Sequence, residues 1–272
     1  MRMIPRFEIL AVWVSLGVFG CFRAAPEPRL SLAPPPVLLH ENFDDPSAEG
    51  LAPVLLSDPH ITWAEGLGLG GSAAIRVAYV GSEIGSERVG ARYPLSVSTD
   101  RATLSFDVRF DEDFQWVRGG KLHGLGPKYP ITGGRERRPK GWSARMMFTR
   151  GGRCSSYLYD QDQSQKWGIG RLSRAPVFVA GRWHHVVLQL RLNQPGEADG
   201  SVRFLVDGRE VVEQGEVVFR GQGGPDTLIQ TFLFSTFHGG ATPTWTPRKN
   251  GAPTTVYAFF DNFLVTEGAR ES

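Results

Sequence analysis

Residues 142–159 have the sequence WSARMMFTRGGRCSSYLY, in which two runs of alternating side chains flank a pair of glycines. Successive side chains of a β-strand point to opposite faces of the sheet. The first run therefore predicts one apolar face, made by Trp142, Ala144, Met146 and Phe148. The opposite face carries Ser143, Arg145 and Met147. This pattern predicts a strand that is buried on one side and presents a cation on the other.

The turn between the two runs decides whether Tyr157 and Tyr159 join Arg145. A two-residue turn at Gly151–Gly152 pairs residue 146 with 157 and leaves both tyrosines on the other face. A three-residue loop over 151–153 pairs 145 with 159 and places the tyrosines beside Arg145. A slip of one residue exchanges the faces, and both loop lengths are common. The sequence therefore leaves both registers open.

Similar strand patterns recur along most of the chain, and no long segment has the 3.6-residue period of a helix. Asp207–Gly208 lies between two such runs and predicts a tight hairpin. The predicted strands are Ala73–Val80, Thr103–Phe110, Trp142–Thr149, Ser155–Tyr159, Trp183–Arg191, Val202–Val206, Arg209–Glu213, Leu228–Phe237 and Thr255–Val265. We expect an all-β fold, a jelly-roll sandwich of two antiparallel sheets with a concave groove for a long ligand. A closed barrel is the alternative.

Composition excludes several classes of protein. The chain has 272 residues and a net charge of +2, with 30 Lys and Arg against 28 Asp and Glu. Such a balance is unlike that of disordered tails or histone-like polycations. With only two cysteines, Cys21 and Cys154, the chain is neither a disulfide scaffold nor a cysteine-rich zinc protein.

The N-terminus has the pattern of an export signal. Arg2 and Arg6 precede the apolar run Ile9–Phe19, which is short for a membrane span. We expect residues 1–21 to be a signal peptide of the lipoprotein type, with lipidation at Cys21. Cleavage near residues 24–25 and a plain helix are the alternatives. A proline-rich linker over 22–38 and one domain over 39–268 follow. The protein is thus expected outside the cytoplasm, either secreted or held at the bacterial cell envelope by a lipid. We expect this lipid to be the only part that contacts a membrane.

One segment is strongly basic. Residues 118–153 contain ten Lys and Arg and a single acid, Glu136, a net charge of +9. A local cationic patch indicates an anionic partner. The candidates are nucleic acid, anionic lipid and acidic polysaccharide, and export argues against nucleic acid. A solvated basic loop is the alternative for residues 135–140.

Five motifs in order resemble polysaccharide lyase family 14. They are GGKLHGL at 119–125, WSAR at 142–145, YLY at 157–159, FSTFHGG at 234–240 with Trp245, and FFDNF at 259–263. The family includes alginate lyases and glucuronan lyases on a β-jelly roll. The chain departs from the family at His123, where proline is expected, and in the basic insert Pro127–Lys140.

The resemblance implies cleavage of a polyuronate by β-elimination, without an organic cofactor. A base removes the C5 proton, a cation neutralises the carboxylate, and an acid protonates the leaving O4. The implied catalytic residues are Lys121, Arg145, Tyr157 and Tyr159. The implied substrate-binding residues are Ser143, His123, Arg118, Thr236, His238 and Trp245. The dense cluster of cations should lower the pKa of the lysine by like-charge repulsion and that of the tyrosines by favouring the phenolate.

Further expectations concern residues outside the implied active site, the oligomeric state and the rival functions. Asp261 is a candidate ligand of a structural Ca²⁺, with hydrogen bonding at a strand end as the alternative. His184 and His185 are expected to be structural, and the protein a monomer. The rival functions are a non-catalytic carbohydrate-binding module and a glycoside hydrolase, which requires a pair of Asp or Glu across the sugar.

Overall fold

Two antiparallel sheets lie face to face in the computed structural model, which describes residues 34–47, 49–162 and 164–268. The expected signal peptide and Cys21 lie outside this range. The strands of the first half are β1 (Val37–Glu41), β2 (Ile61–Ala64), β3 (Ala74–Val80), β4 (Val89–Thr99), β5 (Arg101–Phe110), β6 (Gly119–Gly126) and β7 (Ser143–Thr149). Those of the second half are β8 (Arg153–Tyr159), β9 (Trp183–Arg191), β10 (Gly200–Val206), β11 (Arg209–Val217), β12 (Ile229–His238), β13 (Arg248–Lys249), β14 (Ala252–Pro253) and β15 (Thr255–Glu267). One short helix, α1 (Leu51–Leu56), and four 3₁₀ turns connect them.

The larger sheet has eight strands and the smaller has five. The order in the larger sheet is β11-β10-β9-β5-β15-β3-β2, with β1 paired to the second half of β15. The order in the smaller sheet is β4-β12-β6-β7-β8. This architecture confirms the predicted jelly-roll sandwich and all nine predicted strands. Strands β1, β2, β4, β6, β13 and β14 were not predicted. Strand β6 lacks an alternating pattern because four of its eight residues are glycine.

The hydrophobic core lies between the sheets and is rich in aromatic rings. Phe148 of β7 contacts Phe110 of β5 edge-to-face, with ring centres 5.5 Å apart. The apolar face predicted for residues 142–148 is in this core: Trp142, Ala144, Met146 and Phe148 are buried. Truncating a buried phenylalanine costs about 3–5 kcal/mol of stability, so this row holds the small sheet on the large one.

Both tight turns bear on the sequence predictions. Asp207 and Gly208 have φ values of 51° and 74° and join β10 to β11, as predicted. Thr149 pairs with Arg153, so the β7–β8 loop is Arg150–Gly152, one residue earlier than the three-residue loop considered above. Gly152 is required there, because a Cβ would lie 2.2 Å from the Phe178 carbonyl oxygen. Within the described ranges, no helix is long and apolar enough to span a membrane.

Candidate active site

The outer face of the small sheet is the floor of a cleft of about 1020 Å³. The register aligns its side chains in two rows across the strands. In the first row, Lys121 on β6 is opposite Phe237 on β12 and Met147 on β7. In the second, Arg145 on β7 is opposite Tyr157 on β8. Neither register considered from the sequence is observed, but the tyrosines do share the face of Arg145.

A bulge in β6 determines which side chains face the cleft. The pairing of β6 shifts by one residue between Lys121 and Gly124, against both of its neighbours. The intervening Leu122 and His123 are both fully buried. Gly124 leaves room for Arg145, since a Cβ there would lie 2.7 Å from the Arg145 Cγ. The bulge thus places Gly124, and not His123, opposite Arg145 and turns His123 into the core.

The Lys121 amine lies at the centre of the floor. Its Nζ is 3.2 Å from the Met147 Sδ and 3.0 Å from the ring centre of Tyr157. Burial, and then the positive charges of Arg145 and Arg88, lower the pKa of Lys121 to about 6. At pH 7 about nine-tenths of this amine is neutral, against about 0.04% for a lysine of ordinary pKa. The predicted lowering is confirmed, with burial as its first cause.

The pKa of Tyr157 moves in the opposite direction. Burial is the largest cause that raises it above its ordinary value, followed by the contact with Tyr159. The Gly168 N–H and Arg145 oppose this rise but do not overcome it. The sequence-based expectation of a lowered tyrosine pKa is therefore wrong, because desolvation of the phenolate outweighs the nearby cations. Tyr157 keeps its proton at neutral pH.

Arg145 supplies a fixed charge beside these two groups. Its guanidinium carbon is 5.4 Å from the ring centre of Tyr157, and one Nη donates to the Ser235 hydroxyl at 3.4 Å. Its Nε is buried without a hydrogen-bond partner. Arginine stays charged even when burial lowers its pKa, so it can bind a carboxylate that enters the cleft.

The cleft lining is cationic. Beside Lys121, four arginines line it: Arg88, Arg92, Arg118 and Arg145. No Asp or Glu of the described residues lines it. The paired carboxylates of a glycoside hydrolase are therefore missing from this part of the chain. Arg88 and Arg92 were not predicted as site residues from the sequence. Their spacing of four residues nevertheless predicts that they share one strand face.

The family model described as "Polysaccharide lyase 14" matches residues 74–263, which include all five strands of the small sheet and most of the large sheet. The chain belongs to polysaccharide lyase family 14. It is therefore an enzyme, a carbon–oxygen lyase that acts on polysaccharides. No curated protein has a sequence that matches this chain.

Solved structures of other lyases share the fold at low sequence identity. A mutant of alginate lyase Aly36B in complex with alginate tetrasaccharide has a TM-score of 0.66 and 22% identity, covering 88% of this chain and 100% of that one. A marine family 14 alginate lyase from Aplysia kurodai has a TM-score of 0.59 and 22% identity, covering 77% and 87%. An endo-β-1,4-glucuronan lyase from the fungus Trichoderma reesei has a TM-score of 0.55 and 16% identity, covering 76% and 87%.

Ser143 and Tyr159, which the family resemblance implies as site residues, lie beneath the basic insert. The Ser143 hydroxyl donates to the Ile131 carbonyl at 2.7 Å, and the Tyr159 hydroxyl accepts the Gly134 N–H at 2.7 Å. Both side chains are fully buried and neither lines the cleft of this lyase. They occupy the cleft side of their strands, as predicted, but the insert covers them.

Three further residues expected to bind substrate point into the core instead. The bulge turns His123 into an aromatic cluster, stacked 4.4 Å from Phe234, where its Nδ1 accepts the Ser235 N–H. Thr236 and His238 face inward because they alternate with Phe237 on β12. The Thr236 hydroxyl bonds Tyr79, and His238 Nε2 donates to the Gln115 carbonyl. Burial lowers the pKa of both histidines, that of His238 to about 4.

Arg118 and Trp245 do line the cleft, with the guanidinium 5.7 Å from the indole centre. Of the ten cations in the basic segment, only Arg118, Lys121 and Arg145 line it. Arg135, Arg138 and Lys140 are exposed and absent from the lining. The solvated-loop alternative therefore fits those residues.

The remaining candidates lie on the large sheet. Asp261 is fully buried and accepts hydrogen bonds from the Leu69 and Asn262 N–H groups and the Ser72 hydroxyl. This matches the strand-end alternative, and no metal-binding cluster occurs among the described residues. His184 is buried against Asp207, and His185 pairs with Asp107, both at 2.8 Å, as structural histidines.

Proposed function

We propose that this lyase cleaves a polyuronate, alginate or glucuronan, by β-elimination. Arg145 binds the uronate carboxylate and stabilises the charge that develops when C5 loses its proton. The Lys121 amine takes that proton. The Tyr157 hydroxyl gives its proton to the departing O4 as the C4–O4 bond breaks and the C4=C5 double bond forms.

One observation carries this assignment. Two groups in contact have pKa values moved in opposite directions, so that at neutral pH Lys121 is a free base and Tyr157 a protonated acid. Such opposed pairs identify the base and the acid of a site. The cationic lining supports a polyanionic substrate. The N-terminal pattern supports the further proposal that the enzyme is exported and anchored through Cys21.

The test is ultraviolet absorbance during incubation of the purified protein with alginate, polymannuronate, polyguluronate or glucuronan. A rise from the C4=C5 double bond on one polymer is expected, and it names the substrate. Lys121→Ala should abolish the rise, while Lys128→Ala, at an exposed lysine paired with Asp226, should keep it. New reducing ends without absorbance would instead indicate hydrolysis. Retarded migration in a polymer-containing gel without turnover would indicate a binding module.

A further inference from the structure

Trp167 is an exposed aromatic residue to which the sequence analysis assigned no role. It belongs to the segment 164–170, which follows β8 and is called here the Trp167 segment. The indole is 53% exposed and lines the cleft together with Thr132 and Gly133 of the basic insert. Half-exposed tryptophan rings in such walls present a large apolar surface that can stack on a ligand.

The ring is held in a defined place. Gly134 of the basic insert lies against it so closely that a Cβ would be 2.7 Å from the indole. The segment also pairs with β8, where Ile169 and Leu158 exchange backbone hydrogen bonds of 2.7 and 2.9 Å. One side of the indole is therefore packed while the cleft side stays open.

Arg137 of the basic insert anchors the Trp167 segment. Its buried guanidinium donates to the carbonyl oxygens of Gln165 and Trp167, the latter at 3.1 Å. It also lies 3.8 Å from Asp160 and 5.2 Å from the ring centre of Tyr159. Burying a charge is costly unless it is well bonded, so this contact set indicates that the segment has a fixed position.

The same segment contacts the proposed acid. Gly168 packs against Tyr157 so closely that a Cβ on Gly168 would be 2.9 Å from the ring carbon that bears the hydroxyl. Trp167 therefore immediately precedes, in the chain, the glycine that contacts the proposed acid.

We propose that Trp167 is a substrate-binding residue that stacks on the uronate adjacent to the cleavage point, and that Arg137 is the positioning residue that holds it there. This proposal rests on the proposed function. It assigns a role to the basic insert, in which the chain departs from its family: the insert is a cleft wall that adds a sugar subsite.

Kinetics on the polymer that is cleaved test this subsite. Trp167→Ala should raise KM about 3- to 10-fold with kcat nearly unchanged, and Trp167→Phe should raise it less. Trp183→Ala, on the large sheet, is the matched loss of a tryptophan outside the cleft and should leave KM unchanged. Arg137→Met should raise KM and also lower kcat, because the packing of Gly168 against Tyr157 loosens.

Binding without turnover provides a second measurement. In the Lys121→Ala background, a saturating uronate oligosaccharide should change the tryptophan fluorescence, and adding Trp167→Phe should remove most of that change. A wild-type KM for Trp167→Ala, or an undiminished fluorescence change, would refute the subsite. If the wild-type protein cleaves no polyuronate, the proposed function fails instead, so the two failures are distinguishable.

Discussion

Removing the charge of Arg88 should move the acidic limb of the pH–rate profile. Arg88 lies against Phe237, its guanidinium carbon 4.6 Å from the ring centre, and Phe237 is the cross-strand neighbour of Lys121. Arg88 itself donates to the His238 carbonyl. The other charged or titratable side chains around Lys121 are Arg92, Arg118, Arg145 and Tyr157. Arg88 is therefore a cation whose removal leaves the proposed base and acid in place.

The size of the shift follows from the sheet geometry. Two strand spacings separate Arg88 from Lys121, about 10 Å. At an effective dielectric constant of about 20, two like charges at this distance repel by about 1.7 kcal/mol. Screening at physiological ionic strength reduces this to about 0.5 kcal/mol. Arg88→Gln should thus raise the pKa of Lys121 by about 0.4 to 1.2 pH units.

The assay is kcat/KM against pH at constant ionic strength, which reports the free enzyme. Because the base must be neutral, activity in the wild type should rise with a midpoint near pH 6, and Arg88→Gln should move that midpoint upward. Arg88→Lys keeps the charge and should restore it. If Arg88→Gln lowers the plateau of kcat/KM without moving the midpoint of the pH profile, the reasoning is refuted. Arg88 would then contact substrate without affecting the pKa of Lys121.

Three further predictions concern other parts of the chain. Tyr157→Phe removes the proposed acid and should lower kcat about 100- to 10,000-fold with KM little changed, measured by the absorbance assay; near-normal kcat would contradict the assignment. His123→Ala opens a cavity among aromatic rings and should lower the free energy of unfolding, measured in urea, by about 3 kcal/mol, while the pH profile of the folded fraction keeps its shape; loss of one limb of that profile would show instead that His123 transfers a proton. Cys21→Ser should abolish incorporation of labelled fatty acid in a bacterial host, and labelling that survives would exclude Cys21 as the lipid site.

Much of the fold was predictable because apolar and polar residues alternate along the sequence wherever one face of a strand is buried. That condition holds for β3, β5, β7 and β9, whose apolar residues recur at every second position. It fails for β6, where glycines replace the side chains that would alternate. It also fails for β4, an edge strand with several exposed residues.

The site was predictable only in part. Lys121, Arg145 and Tyr157 were found by their motifs, and the structure brings them together on one face. His123 and Tyr159 belong to the same motifs yet lie away from the cleft. The bulge turns His123 inward, and the insert covers Tyr159. The spacing of residues within the motifs therefore does not predict where either side chain lies.

By itself, the amino-acid sequence determined the two sheets, the cationic segment and the three residues of the proposed reaction, because strand period, charge and residue chemistry are local properties. The tertiary structure alone decided which side chains meet. The register of the β7–β8 hairpin depends on the close packing of Gly152 against the Phe178 carbonyl. The opposed pKa values of Lys121 and Tyr157 depend on burial, which arises only when the sheets and the basic insert assemble around them.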